Sequence, residues 1–199
     1  MLLKRRTKVF IWSAAGLIIL GLLTYLIPQF LGTTKLPQEF LDARRDAAEV
    51  SQKIVDLTHN TNEKIKAVNP SEFSSDPDKA VVFIRQAQQS NSEAYNQAFE
   101  LSRHLQKLAE SLEKIKSSKG QRLAYEAVAV ELSLVSEFIL YTQDLNKFLE
   151  NLAKATATDS DADRSNVEQS LGAVNQRVNK INDLNKEFLA KIEAFDSGF

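Results

Sequence analysis

From residue 37 onward, apolar and small residues recur in steps of three and four, the spacing that keeps one face of a helix turned toward a partner. The first run sets Phe40, Ala43, Ala47, Val50, Ile54 and Leu57 on one seam, then slips at Ile65 and Val68. The second is the most regular: Ala80, Ile84, Ala87, Asn91, Ala94, Ala98, Leu101, Leu105 and Leu108 keep the beat, small in the first half and leucine-rich in the second. The third carries Ala124, Ala127, Glu131, Leu134, Phe138, Tyr141 and Leu145. The fourth carries Val167, Leu171, Val174, Val178, Ile181, Asn185 and Phe188. The pattern predicts helices over about 37–69, 77–117, 121–156 and 160–196.

The breaks between the runs fit helix ends. "NPSEFSSDP" interrupts the first two, with Asp76 suited to cap and Pro77 to open a helix, where its missing N–H costs nothing. "SSKG" follows the second, with Gly120 expected in the left-handed position after the helix. "ATATDSDADRSN" precedes the fourth, where Asp159 or Ser160 can cap while Asp161 and Asp163 complement the helix dipole. Short connections favour antiparallel neighbours. The expected fold is all-α: a single N-terminal transmembrane helix followed by an up-down-up-down antiparallel four-helix bundle with heptad, coiled-coil-like packing. A three-helix bundle with one helix extending out of it is the rival topology.

The third run is wider than the others. Beside its seam lies a second stripe, Val128, Leu132, Val135 and Ile139, which either broadens the core or meets a partner. It is not a second membrane span. Its apolar segments fall far short of ~18 residues, and Glu126, Glu131 and Glu137 interrupt them.

The first 36 residues read differently. No charge occurs from Val9 to Thr34. The run Val9, Phe10, Ile11, Trp12 … Leu17, Ile18, Ile19, Leu20 … Leu22, Leu23 … Tyr25, Leu26, Ile27 approaches the ~20 residues that span a bilayer, with Trp12 and Tyr25 placed as interfacial aromatics. Lys4, Arg5, Arg6 and Lys8 precede it and only Lys35 follows closely, so the positive-inside rule sets the N-terminus in the cytoplasm. The run is too long for the core of a signal peptide, and "IPQFLGTTKLP" offers a poor cleavage site, so an uncleaved signal-anchor is expected. The expected layout is a basic cytoplasmic N-terminus (1–8), an anchor helix (9–31), a linker (32–36) and an extracytoplasmic bundle (37–199), the whole held in the plasma (inner) membrane by a single pass.

Charge and composition narrow the function. Removing the five basic residues of the N-terminal segment from the total of 25 leaves 20 against 26 acidic residues, a net of −6. An acidic bundle without a basic stripe is a poor partner for nucleic acid. No cysteine is present, which excludes disulfides, thiolate metal sites and thiol catalysis. The two histidines, His59 and His104, fall at levels roughly 25 Å apart in an antiparallel pair, too far to share a metal whose ligands sit within ~2–2.6 Å. Neither a Gly-x-Ser-x-Gly turn nor a Gly-rich phosphate loop occurs. No enzyme, metal or cofactor is expected.

Three polar residues interrupt the seams: Asn91, Glu131 and Asn185. Counted from the turns, Glu131 and Asn185 fall within about a turn of each other, with Arg44, Arg45 and His104 near the same height. A buried glutamate needs such company, so Glu131, Asn185, Arg45 and His104 form a candidate polar layer. The expected function is a structural or protein-interaction component of the cell envelope, with the lipid bilayer and a protein, another or itself, as partners. An accessory ligand-binding bundle is the alternative. It resembles the periplasmic domains of chemoreceptors in outline, and with the chain ending at "FDSGF" no output domain is expected.

Overall fold

The computed structural model describes residues 36–68, 77–158 and 160–197. Among these the chain is all-helical: α1 (Gln38–Ala67), α2 (Pro77–Ser111), a 3-10 turn (Leu112–Lys114), α3 (Ser118–Thr158) and α4 (Asp161–Asp196). The predicted anchor, its basic flank and the Asp76 cap lie outside the described residues. No helix among the described residues is long and apolar enough to cross a membrane.

Sequential helices pack as antiparallel neighbours. Asn60 donates to Ser90 between α1 and α2, and Asn91 Nδ2 donates to the Thr142 carbonyl between α2 and α3 at 2.8 Å. Lys191 reaches Glu126 and Arg177 reaches Asp144 between α3 and α4, so residue numbers on one helix rise as those on the other fall. α1 and α4 come together at the end that carries residue 38, where the Phe40 and Phe195 rings pack tilted at 47° with centroids 5.9 Å apart. These contacts fit a four-helix bundle.

The core is the heptad seam. Ile84, Ala87, Ala98, Leu101, Leu105, Phe138, Phe148 and Phe188 are all but sealed from solvent. Burying each of the leucine, isoleucine and phenylalanine side chains is worth about 1.5–3 kcal/mol, which is what holds helices this long together. α3, at 41 residues, is the longest, about 60 Å at 1.5 Å per residue.

Two ends differ from expectation. α2 stops at Ser111, tightening through the 3-10 turn, and does not continue to 117. Gly120 does not terminate it but lies buried in the first turn of α3, its N–H donated to the Ser117 hydroxyl at 3.2 Å. Ser117 acting as an N-cap and the packing of a residue without a side chain outcompete the left-handed C-terminal role. At the start of α4 the cap is Ser160, which accepts from the Asp163 N–H at 3.1 Å and donates back to the Asp163 carboxylate at 2.6 Å.

Candidate functional site

A small cavity opens between the four helices near the residue-38 end of the bundle. Phe40, Arg44, Ala47 and Ala48 of α1, Ala124, Ala127, Val128 and Glu131 of α3, and Phe188 and Phe195 of α4 are among its walls. Its origin is in the sequence: alanines on the facing seams of α1 and α3 leave volume that the phenylalanines of α4 do not fill. The space is about 30 Å³, enough for about two waters.

Glu131 is the cavity's polar feature. It is 6% exposed, and no hydrogen bond reaches its carboxyl from the described residues. Burial pushes its pKa from the ordinary 4.5 up to about 7, opposed by the positive charge of Arg44. Arg44 itself pairs across the helix ends with Asp196 at 3.7 Å. Burial also raises the pKa of Asp196, and Arg44 works against that shift. One guanidinium thus stands between two carboxyls that are both short of solvation.

The candidate polar layer is only partly brought together. Asn185 is buried at the level of Glu131, as the Glu126–Lys191 and Glu137–Lys180 pairs on either side require. It does not line the cavity, and its Nδ2 is buried without a hydrogen-bond partner among the described residues. Arg45 is turned to solvent, its side chain 63% exposed, and pairs with Asp42 and Asp46. The correction is one residue: Arg44 faces inward because a single step rotates a helical side chain by about 100°. His104 is half-buried and lies outside the cavity wall. No group of three His, Asp or Glu side chains among the described residues could hold a metal ion.

The second stripe of α3 divides. Val128 and Val135 join the core, Ile139 is half-buried, and Leu132 is 38% exposed. Leu132 is not alone. Phe99 is 45% and Tyr125 41% exposed, and the Tyr95 and Phe99 rings meet edge-to-face at 4.9 Å on the adjoining flank of α2. With the Asn91–Thr142 bond setting register, Phe99 falls beside Leu132 and Tyr95 beside Ile139. An aromatic and aliphatic strip therefore runs along the outer α2/α3 seam. The sequence pattern concealed Tyr95 and Phe99 because they fall off the heptad, although their spacing of four places them on one helix flank.

The opposite flank of α3 is ionic. Glu137, itself buried, takes the Arg177 guanidinium at 2.9 Å and the Lys180 ammonium beside it. Asp144 takes Arg177 Nε at 3.0 Å and Glu126 takes Lys191 at 2.8 Å. Burial alone would raise the Glu137 pKa, but the hydrogen bonds and charges of Lys180 and Arg177 outweigh it and hold the carboxyl below its ordinary value. A ladder of ion pairs thus clamps α4 to α3. No family model matches the chain, and neither the curated proteins nor the solved structures yield a match.

Proposed function

We propose that the chain is a non-enzymatic, membrane-anchored helical bundle that serves the cell envelope as a structural or protein-interaction component. Residues 9–31 hold it in the plasma membrane with Lys4, Arg5, Arg6 and Lys8 on the cytoplasmic side. The bundle stands on the other face. The observation that carries the interaction role is the strip of Tyr95, Phe99, Tyr125 and Leu132 along the α2/α3 seam, since exposed aromatics depleted of charge are the composition of protein interfaces.

The test has two arms. Cell fractionation with protease accessibility should find the chain in membranes with the bundle digestible only from outside; recovery in the soluble fraction would refute the location. A photo-crosslinking residue in place of Phe99 should capture protein in those membranes, while the same residue in place of Gln176 on α4 should not. Absence of any product at Phe99 would refute the interaction role.

A second reading, an accessory ligand-binding subunit, is favoured by the cavity at Glu131. Its small volume weighs against it, since pockets for small molecules ordinarily measure ~300–1,000 Å³. A ligand-dependent rise in melting temperature that Glu131→Gln abolishes would favour this reading over the first.

A further inference from the structure

We propose that the outer α2/α3 face is a self-association surface, meeting the same face of a second copy of this chain about a twofold axis. The inference rests on the interaction role above and names the partner.

Charge makes the argument. Between Arg122 and Lys147, α3 has no basic residue, and its acidic residues are all directed elsewhere. Glu126 is drawn to Lys191, Glu137 to Arg177 and Lys180, and Asp144 to Arg177, all across the α4 flank, while Glu131 is buried. On α2, Glu93 and Glu100 lie on the flank turned toward α1, the side on which Ser90 meets Asn60, and Arg103 is pulled to that flank by Glu100 at 2.6 Å. Over about 19 residues of each helix the face between them carries only aromatic, aliphatic, serine, glutamine and asparagine side chains.

A twofold contact brings each patch against its own copy, so any charge near the axis meets its like. The bundle is acidic, and its ionic α3/α4 flank would meet a copy of itself with like charges opposed. The α2/α3 face is the one described here on which no such repulsion arises, and its Tyr95–Phe99 pair offers flat apolar area to an identical pair. Two helices of about 28 Å by a width of about 18 Å give about 500 Å² per copy, or about 1,000 Å² in all, the lower edge of specific interfaces. Such a contact is weak between free molecules and gains from confinement of both copies in one membrane.

The full chain contains no cysteine, so single cysteines report proximity cleanly. Ser92→Cys on α2 and Ser136→Cys on α3, both at exposed positions, are treated with a short bismaleimide in native membranes. Both should yield covalent dimers, and Gln176→Cys on the exposed side of α4 should not. Adding Phe99→Glu should cut the dimer yield at least about tenfold, because it places a carboxylate against its own copy. Unchanged circular dichroism would show that the half-exposed site is not needed for folding. Equal yields from Gln176→Cys, or no loss with Phe99→Glu, would overturn the proposal. If Ser136→Cys instead links a different protein and no copy of itself, self-association falls while the interaction role stands. If it links nothing, both fall.

Discussion

Glu131 should make the bundle less stable as pH rises, and Glu131→Gln should remove that dependence. In the folded chain the carboxyl holds its proton up to about pH 7, against 4.5 when exposed. Below about pH 4.5 the group is neutral in both states and costs nothing electrostatic. Between 4.5 and 7 the unfolded chain has released the proton and the folded chain has not, so each rise in pH favours unfolding. Above about 7 the full difference is expressed: a rise from 4.5 to about 7, at about 1.36 kcal/mol for each tenfold change in proton affinity, comes to about 3 kcal/mol. Glutamine keeps the shape of the protonated acid and never ionises. The variant should match the parent near pH 4 and exceed it by about 3 kcal/mol at pH 8.

The assay is urea unfolding of residues 36–199, followed by circular dichroism at several pH values, with the difference between variant and parent as the readout. The difference matters because other carboxyls oppose it. Glu137 sits below its ordinary pKa, so its contribution is present at neutral pH and lost in acid. Arg44→Met should push Glu131 still higher and carry the rise in the difference curve beyond pH 7, since Arg44 is what holds it down. A difference between Glu131→Gln and parent that stays flat within about 0.5 kcal/mol from pH 4 to 8 would show that the side chain is solvated in solution, and the cavity argument would fail.

Three further outcomes follow from the packing. Glu137→Gln should destabilise the bundle by about 1 kcal/mol at neutral pH, with the effect shrinking in high salt and in acid; a salt-independent loss would mean that the Arg177 and Lys180 pairs contribute nothing. Asn91→Ala should cost about 1–3 kcal/mol by chemical denaturation, since it removes a buried donor to the Thr142 carbonyl; a neutral result would show that water replaces it without loss. Phe138→Ala, at a side chain 1% exposed, should cost about 3–5 kcal/mol, whereas Phe99→Ser, at 45% exposure, should stay within about 0.5 kcal/mol; equal losses would mean that Phe99 belongs to the core of the folded monomer.

The helical beat was legible because heptad spacing is a property of one helix at a time, and so was the seam position of Glu131 between Ala127 and Leu134; its burial was not, because it depends on which of the two stripes of α3 turns inward. Partners were less legible. Counting from the turns gives height along a bundle to about a turn but leaves the rotation of each helix open, and rotation is what separates Arg44 in the cavity wall from Arg45 in solvent. The α3/α4 ladder was hidden for the same reason: it exists only once the angular settings of two helices are both known. Gly120 posed a local conflict between two valid end signals, and packing decided it. The charge-free α2/α3 flank could have been found, since a helical wheel of residues 125–143 shows the acidic residues on one side and in the core.

That sorting of charge explains how an awkward residue stays inside. At pH 8 Glu131 costs about 3 kcal/mol, and turning α3 so as to expose it would recover that sum. The same turn would carry Leu134 and Phe138, 2% and 1% exposed, toward solvent at about 1.5–3 kcal/mol each. It would also pull Glu126, Glu137 and Asp144 away from Lys191, Lys180 and Arg177. The losses exceed the gain, so α3 keeps its setting and the glutamate stays inside, protonated up to about pH 7 and ionised at that cost above it. Leu132 remains on the outer flank by the same geometry: Glu131 sits near the middle of the inward arc, so a step of about 100° carries Leu132 out of it, whereas Leu134 and Val135 straddle that middle and are both buried. The buried carboxyl and the exposed apolar strip are thus two consequences of one rotational setting, fixed by the ion pairs on the third side of the helix.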